Sequence, residues 1–371
     1  MDWLNNLDEK VIIFLENLKN NQSLYSFDPI IEKKYLLNSP LQLGFSCYAL
    51  KIYQLLGKTK DFDKKIFDDW LLYLYTFQSK NNTFPTNSFI DPNYISNHKI
   101  LNKDSSLKKV TKQIANSLFN KNFKFEDEKI INYTWAETKQ TISTIYQLGE
   151  INKNKFDNFP SSKGEINKFL NAQNWNYPWS SGGQYAGLCL FNKTQLELSL
   201  FEDNRKTLLN FSDELVNSED GFYYKGKQPS KSELINGAMK ILSGIDWING
   251  KIHYPEKLID FCLRTKVNNE GCDVVDIVYV LYRCSLETNY RKKEINSYLI
   301  NLFELIKTHF KDEEGGFSYY KNSCQTNYYD VRFTDSRNQA DLHGTVLLIW
   351  AIVMILEVLE NKLFDYQVIK P

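Results

Sequence analysis

The residues with the clearest chemical potential lie close to points where apolar helices begin. His343 is one of four histidines, at 98, 253, 309 and 343, and it follows Asp341 by two residues at the start of the most apolar stretch, Val346–Leu356. A histidine there can serve as general acid, general base or metal ligand. The plainer account is that Asp341 caps the helix while His343 packs. Cys272, Asp273 and Asp276 form a second group. Residues spaced i, i+3 share a helix face, so Asp273 and Asp276 can act as a carboxyl pair with divergent pKa values or bind a cation. Capping by Asp273, a first-turn acid and a small apolar Cys272 explain the same residues without chemistry. Glu137 and Gln140, again i, i+3, follow Trp135, and Trp179 precedes Gln184. Aromatic faces beside carboxylates suit a sugar ring or a carbocation, though capping with ring packing accounts for them almost as well. Asn236 and Lys240 interrupt an apolar helix, where polar groups need partners. The stretch from Ser318 to Arg337 has no apolar periodicity and carries Tyr328, Tyr329 and Arg332, as a lid over a cavity or a surface loop would.

Composition narrows the chemistry. The 371 residues carry 45 basic and 45 acidic side chains, so the net charge is zero and the clustered basic excess of a nucleic-acid binder is lacking. No Gly-x-Ser-x-Gly elbow or glycine-rich phosphate loop occurs. Six cysteines at irregular spacing, with no C-x-x-C, point to reduced thiols. The amino-terminal stretch, with Asp2, Asp8 and Glu9, has no secretory pattern. Val346–Leu356 is about half the length a bilayer requires. The expectation is a cytoplasmic protein with no transmembrane segment and no nucleic-acid partner. Aromatics at 15% are abundant enough to line a cavity as well as a core.

These residues must be held by helices, because strand alternation is scarce and i, i+3, i+4 apolar spacing is common. Helices read in pairs. Val11–Leu18 precedes Pro40–Leu56, started by Ser39-Pro40; Phe67–Phe77 is paired, across a long excursion at about 79–132 that includes a candidate helix Leu107–Phe119, with a helix from Thr134 to Leu148. Four further pairs follow, the last being Leu299–Phe310 with the helix opened by Asp341. Gly221, Gly271 and Gly316 recur at intervals near 50 residues, the period of one helical hairpin. Six hairpins predict an all-α single domain over 1–371, closed into an α/α toroid whose more apolar second helices line the hole. An open helical-repeat superhelix is the alternative. In the closed form the inner helices start around one mouth, where unpaired N–H groups collect, and the site is expected there.

The helix–turn unit built on Asp220-Gly221-Phe222 and Glu314-Gly315-Gly316-Phe317, with Gln173-Asn174-Trp175 as a degenerate copy, resembles the repeat of the terpenoid cyclase and protein prenyltransferase superfamily. Glycan-active α/α barrels share that architecture. The Asp-x-Asp-Asp motif of cyclases is absent, and Asp68-Asp69-Trp70 does not complete Asp-Asp-x-x-Asp. The resemblance implies zinc on Asp, Cys and His, for which Cys272, Asp273 and His343 are the counterparts, with Cys-Asp in reversed order. The leading expectation is an enzyme acting on an isoprenoid-like substrate, with His343, Asp341, Asp273, Asp276 and Glu137 as its polar core. The alternatives are a glycan-active lyase or hydrolase and a non-catalytic helical-repeat scaffold.

Overall fold

The structure, a computed structural model, describes residues 2–37, 41–80, 84–101, 126–268, 270–362 and 364–371. Thirteen α-helices are present among them. Six form the inner wall: α2 (Leu43–Leu55), α5 (Glu126–Gln147), α7 (Pro178–Gln195), α9 (Lys231–Trp247), α11 (Gly271–Ser285) and α13 (Leu342–Val358). Their hairpin partners are α1 (Leu7–Leu18), α3 (Lys64–Tyr75), α6 (Lys163–Asn171), α8 (Leu198–Leu215), α10 (Pro255–Leu263) and α12 (Lys292–Lys307). One further helix, α4 (Pro92–Leu101), stands between α3 and α5.

Each inner helix packs on the next, α2 on α5, α5 on α7, α7 on α9, α9 on α11 and α11 on α13, and α13 returns to pack on α2. The ring is therefore closed, as six hairpins predict, and the open superhelix is set aside. Burial follows the same division. Every residue of α2 is buried, and so is nearly all of α13, whereas the partner α1 buries only Leu7, Val11, Phe14, Leu15 and Leu18, one stripe of an amphipathic helix.

The inner helices share a direction. Gln367 N–H donates to Leu55 O at 2.9 Å, Gln147 Nε2 to Lys370 O at 2.8 Å, Lys370 Nζ to Asp246 O at 2.7 Å and Trp247 Nε1 to Pro371 O at 3.0 Å. One segment, 367–371, thus crosses the C-terminal ends of α2, α5 and α9. The Lys370 ammonium there faces the negative end of the helix dipoles.

Several boundaries follow long-range contacts rather than local sequence. Ser39-Pro40 lies outside the described residues, as do Leu107–Phe119 and Asn269. The start of α2 is instead closed by Asp91, whose carboxylate accepts from the backbone N–H of Gln42 and of Leu43 (3.0 Å). Within 79–132, Pro92–Leu101 is helical, and α5 begins at Glu126 rather than Thr134. Local signals hold elsewhere: Ser162 and Glu165 form a capping box on α6, and Asp341 Oδ1 accepts from Gly344 N–H at 2.7 Å.

Among the described residues strand is confined to three two-stranded antiparallel ribbons: β1 (Lys19–Asn20) with β2 (Ser23–Phe27), β3 (Phe310–Lys311) with β4 (Gly316–Phe317), and β5 (Asn327–Tyr328) with β6 (Val331–Arg332). The last lies in the tyrosine-rich stretch. Tyr329 and Asp330 connect its strands at φ 42° and 69°, the positive-φ pair of a tight hairpin turn.

Among the described residues no helix is long and apolar enough to cross a membrane. The six cysteines are unpaired.

Candidate functional site

A central cavity of about 640 Å³ lies inside the ring. Its wall draws on all six inner helices: Tyr48 and Lys51 from α2, Trp135, Lys139 and Gln140 from α5, Trp179 and Gln184 from α7, Lys240 from α9, Cys272 and Asp276 from α11, and His343 and Trp350 from α13. The hairpin β5–β6 adds Tyr328, Tyr329 and Asp330, and Lys370 and Pro371 contribute from the segment that crosses the helix C-termini.

Two carboxyls dominate its chemistry. Glu137, near the middle of α5, is fully buried behind Tyr328, whose hydroxyl donates to Glu137 Oε1. The second oxygen, Oε2, has no hydrogen-bond partner among the described residues. Burial pushes this carboxyl up to about 8, with the Tyr328 hydrogen bond and Lys51 pulling the other way and Asp91 adding to the rise. Asp276 faces the cavity from the second turn of α11, 2% exposed, and its Oδ2 has no partner among the described residues. Burial raises it to about 7 against the pull of Lys240 and Lys139. The close approach of Tyr328 to Glu137 depends on Gly44 of α2: a Cβ there would collide with the Tyr328 hydroxyl and lie 3.4 Å from Glu137 Oε1.

His343 lines the cavity with its ring stacked on Tyr48, centroids 5.0 Å apart and planes within 8°, and with Tyr319 at 5.3 Å. Burial, helped by Lys240, depresses its pKa to about 4, so the imidazole is neutral at physiological pH, and Nδ1 has no partner among the described residues. Trp135 stacks on Phe169 at 5.3 Å, and Trp179 is 41% exposed at the rim. Gln140 Nε2 donates to Gly44 O (3.2 Å) and Gln184 Nε2 to Asn132 Oδ1 (2.8 Å).

Four of the expected site residues are placed elsewhere. Asp341 is buried with both oxygens used by the backbone: Oδ1 takes Gly344 N–H, and Oδ2 takes Tyr319 N–H (2.7 Å) and Gln325 N–H (3.0 Å). It fastens the strand-rich loop to α13 and is not part of the cavity wall. Asp273 accepts from Asn268 Nδ2 (2.6 Å), Asn236 Nδ2 (3.2 Å) and Ser232 Oγ (3.3 Å), which also accounts for Asn236, and neither residue lines the cavity. Arg332 pairs with Asp335 at 3.0 Å on the outer side of the hairpin. As for the metal set, Cys272, Asp273 and His343 do not come together; among the described residues no group of three or more His, Cys, Asp or Glu side chains could hold an ion. Burial raises the Cys272 thiol to about 12.

Lys51 and Lys139 went unread in the sequence. Both interrupt inner helices at cavity-facing positions, the same signal that singled out Lys240. Burial lowers Lys51 to about 8 and Lys139 to about 7. Tyr94 and Tyr133, which stack at 3.4 Å beside the cavity, were missed because α4 and the first turns of α5 lie within what reads as a polar excursion.

No family model matches the chain, and neither does any curated protein. Among solved structures, a GH76 alpha-mannanase of Bacteroides thetaiotaomicron matches at 10% identity and a TM-score of 0.46, over 98% of each chain. The expected resemblance to terpenoid cyclases and prenyltransferases is corrected: no family model of that superfamily matches, and the solved structure that matches is described as a mannanase. The physical reason for the misreading is visible in the turns. Gly221 and Gly315 adopt φ of +82° and +81° in the tight chain reversals that follow α8 and α12, between Val216 and Tyr223 and between β3 and β4, a demand of reversing the chain after a helix rather than of one chemistry.

Proposed function

We propose that the protein is a glycan-active enzyme that breaks glycosidic bonds by general acid–base catalysis in the central cavity. The observation that carries this reading is the pair of buried carboxyls, Glu137 and Asp276, both raised by burial and each with one oxygen unpartnered among the described residues, on helices bordering one aromatic-walled cavity. Environments that push two carboxyls apart assign acid and base roles.

At neutral pH Glu137 holds its proton, while Asp276, near its own midpoint and flanked by lysines, is substantially ionised. Glu137 reaches the cavity through the Tyr328 hydroxyl. As the glycosidic C–O bond breaks, the hydrogen bond between the two reverses: protonated Glu137 donates to the Tyr328 oxygen, and the phenolic proton turns to the departing oxygen and passes to it. Asp276 takes a proton from the water whose oxygen bonds to the anomeric carbon. Trp135 and Trp179 offer ring faces to the sugar, and Gln140 and Gln184 offer amides to its hydroxyls.

The test is a glycan cleavage screen read by product mass spectrometry, with Glu137→Gln and Asp276→Asn as controls. Cleavage by the wild type that both variants lose is the expected result. Failure of the wild type to bind or cleave any glycan in an acidic and neutral oligosaccharide panel defeats the reading.

A further inference from the structure

The cavity contains more positive charge than its acids offset. Lys51, Lys139 and Lys240 project into it from α2, α5 and α9. The other two lysines of its wall are already satisfied: Lys129 pairs with Asp330 at 2.8 Å, and Lys370 with Asp246 at 3.2 Å. Lys51 donates only to a neutral hydroxyl, Ser143 Oγ at 3.1 Å. Among the described residues neither the Lys139 nor the Lys240 ammonium has a hydrogen bond or an ion pair at contact distance, and the carboxyl Oδ2 of Asp276 is likewise unpartnered.

The three lysines also repel one another. Lys240 depresses Lys51, and Lys240 and Lys51 together depress Lys139, over and above the effect of burial. Asp330 of the wall is taken up by Lys129 and Glu137 sits behind Tyr328, which leaves Asp276 as the one acid of the described wall that faces them. Three lysine side chains with no ion-pair partner, facing one unpartnered carboxyl, is a costly arrangement for a cavity meant for an uncharged ligand. It is a favourable one for a ligand that brings an anion, because burying charges in pairs removes the penalty that each has alone.

We propose that the cavity takes an acidic glycan, whose anionic substituent is held by Lys51, Lys139 and Lys240 while its ring packs against the aromatic wall. This rests on the glycan reading above and specifies the substrate class. The recognition chemistry is shared by a uronate carboxylate and a sulfate ester, which separate arms of one experiment distinguish.

The experiment is isothermal titration of the full chain with three oligosaccharides of the same length: a hexuronate, its carboxyl-reduced neutral counterpart, and a sulfated neutral chain. Each is measured at low and high salt with the wild type, Lys139→Met and Lys240→Met. At least one acidic ligand is expected to bind about tenfold or more tighter than the neutral one. The preference should shrink with salt and in both variants, and the preferred anion identifies the source. Methionine keeps the stem and removes the unpaired charge, so both variants should melt at or above the wild-type temperature; if either melts lower, the salt dependence of the wild type alone decides. Equal binding of neutral and acidic oligosaccharides overturns the proposal and leaves the glycan reading standing. Binding of none of the three overturns both.

Discussion

Replacing Glu137 by glutamine should reverse the sign of its effect on stability between mildly acid and alkaline pH. The wild-type carboxyl rises from its ordinary 4.5 to about 8 on folding, because it is buried with one oxygen unpaired. The folded state thus binds the proton more tightly than the unfolded chain. Stability linked to this group is complete below pH 4.5, falls as pH rises through the interval, and is lost above about 8. At about 1.4 kcal/mol per decade, the loss is on the order of 5 kcal/mol, an upper figure that local relaxation reduces. Glutamine cannot ionise. It can still accept from Tyr328, but its amide nitrogen would occupy the place of the unpaired oxygen at a cost of about 1–3 kcal/mol. The variant should therefore be less stable than wild type near pH 5 and more stable near pH 9, with curves crossing between. Urea unfolding monitored by tryptophan fluorescence at five pH values measures this. Parallel curves for the two proteins would refute the argument, since they would show that Glu137 titrates alike in folded and unfolded chains.

Other consequences follow from the same contacts. If Asp276 is the base and Glu137 the acid, kcat/KM on a cleaved glycan should be bell-shaped with limbs near 7 and 8, and Tyr328→Phe should lower the rate and move the upper limb to higher pH by removing the hydrogen bond that favours the ionised form. Gly44→Ala should displace the Tyr328 hydroxyl from Glu137 and reduce kcat by at least about tenfold with a small change in melting temperature, checked by steady-state kinetics beside calorimetry. Asp341→Ala strands the three buried backbone N–H groups that its carboxylate accepts and should cost about 3 kcal/mol or more in urea unfolding, a loss of fold rather than of chemistry alone. Gln147→Leu should loosen the segment 367–371 and show as faster hydrogen exchange there, with the ring helices unchanged.

The ring was legible because its determinants are local. Period-3.6 apolar spacing gives the helices, and chain-reversing residues such as Gly221 and Gly315 mark the turns. Where a boundary depends on a distant partner, local reading fails. Asp91 closes α2 from a position 48 residues beyond Leu43, and no sequence window around Pro40 contains it. Gly271 shows a related limit. It keeps the period of the marker glycines, yet it opens α11 instead of turning the chain at positive φ, and what it supplies is room: a Cβ there would lie 3.1 Å from the Tyr319 ring.

The site divides along the same line. Glu137, Asp276 and His343 were legible as polar residues on inner helices, and the fold brings all three to the cavity or its immediate backing. Asp341 and Asp273 carry the same kind of signal and are consumed by hydrogen bonds from neighbouring segments. Residue type cannot separate these cases, because a cap and a catalytic acid are the same side chain with different claims on its oxygens. What separates them is the count of donors around each carboxylate. Asp341 receives three backbone N–H groups, whereas Asp276 Oδ2 and Glu137 Oε2 receive none among the described residues. The three lysines follow this rule from the opposite sign. A buried charge that the protein's own groups leave unanswered is where a ligand's charge has most to gain, and in this ring the unanswered charges of both signs converge on one cavity.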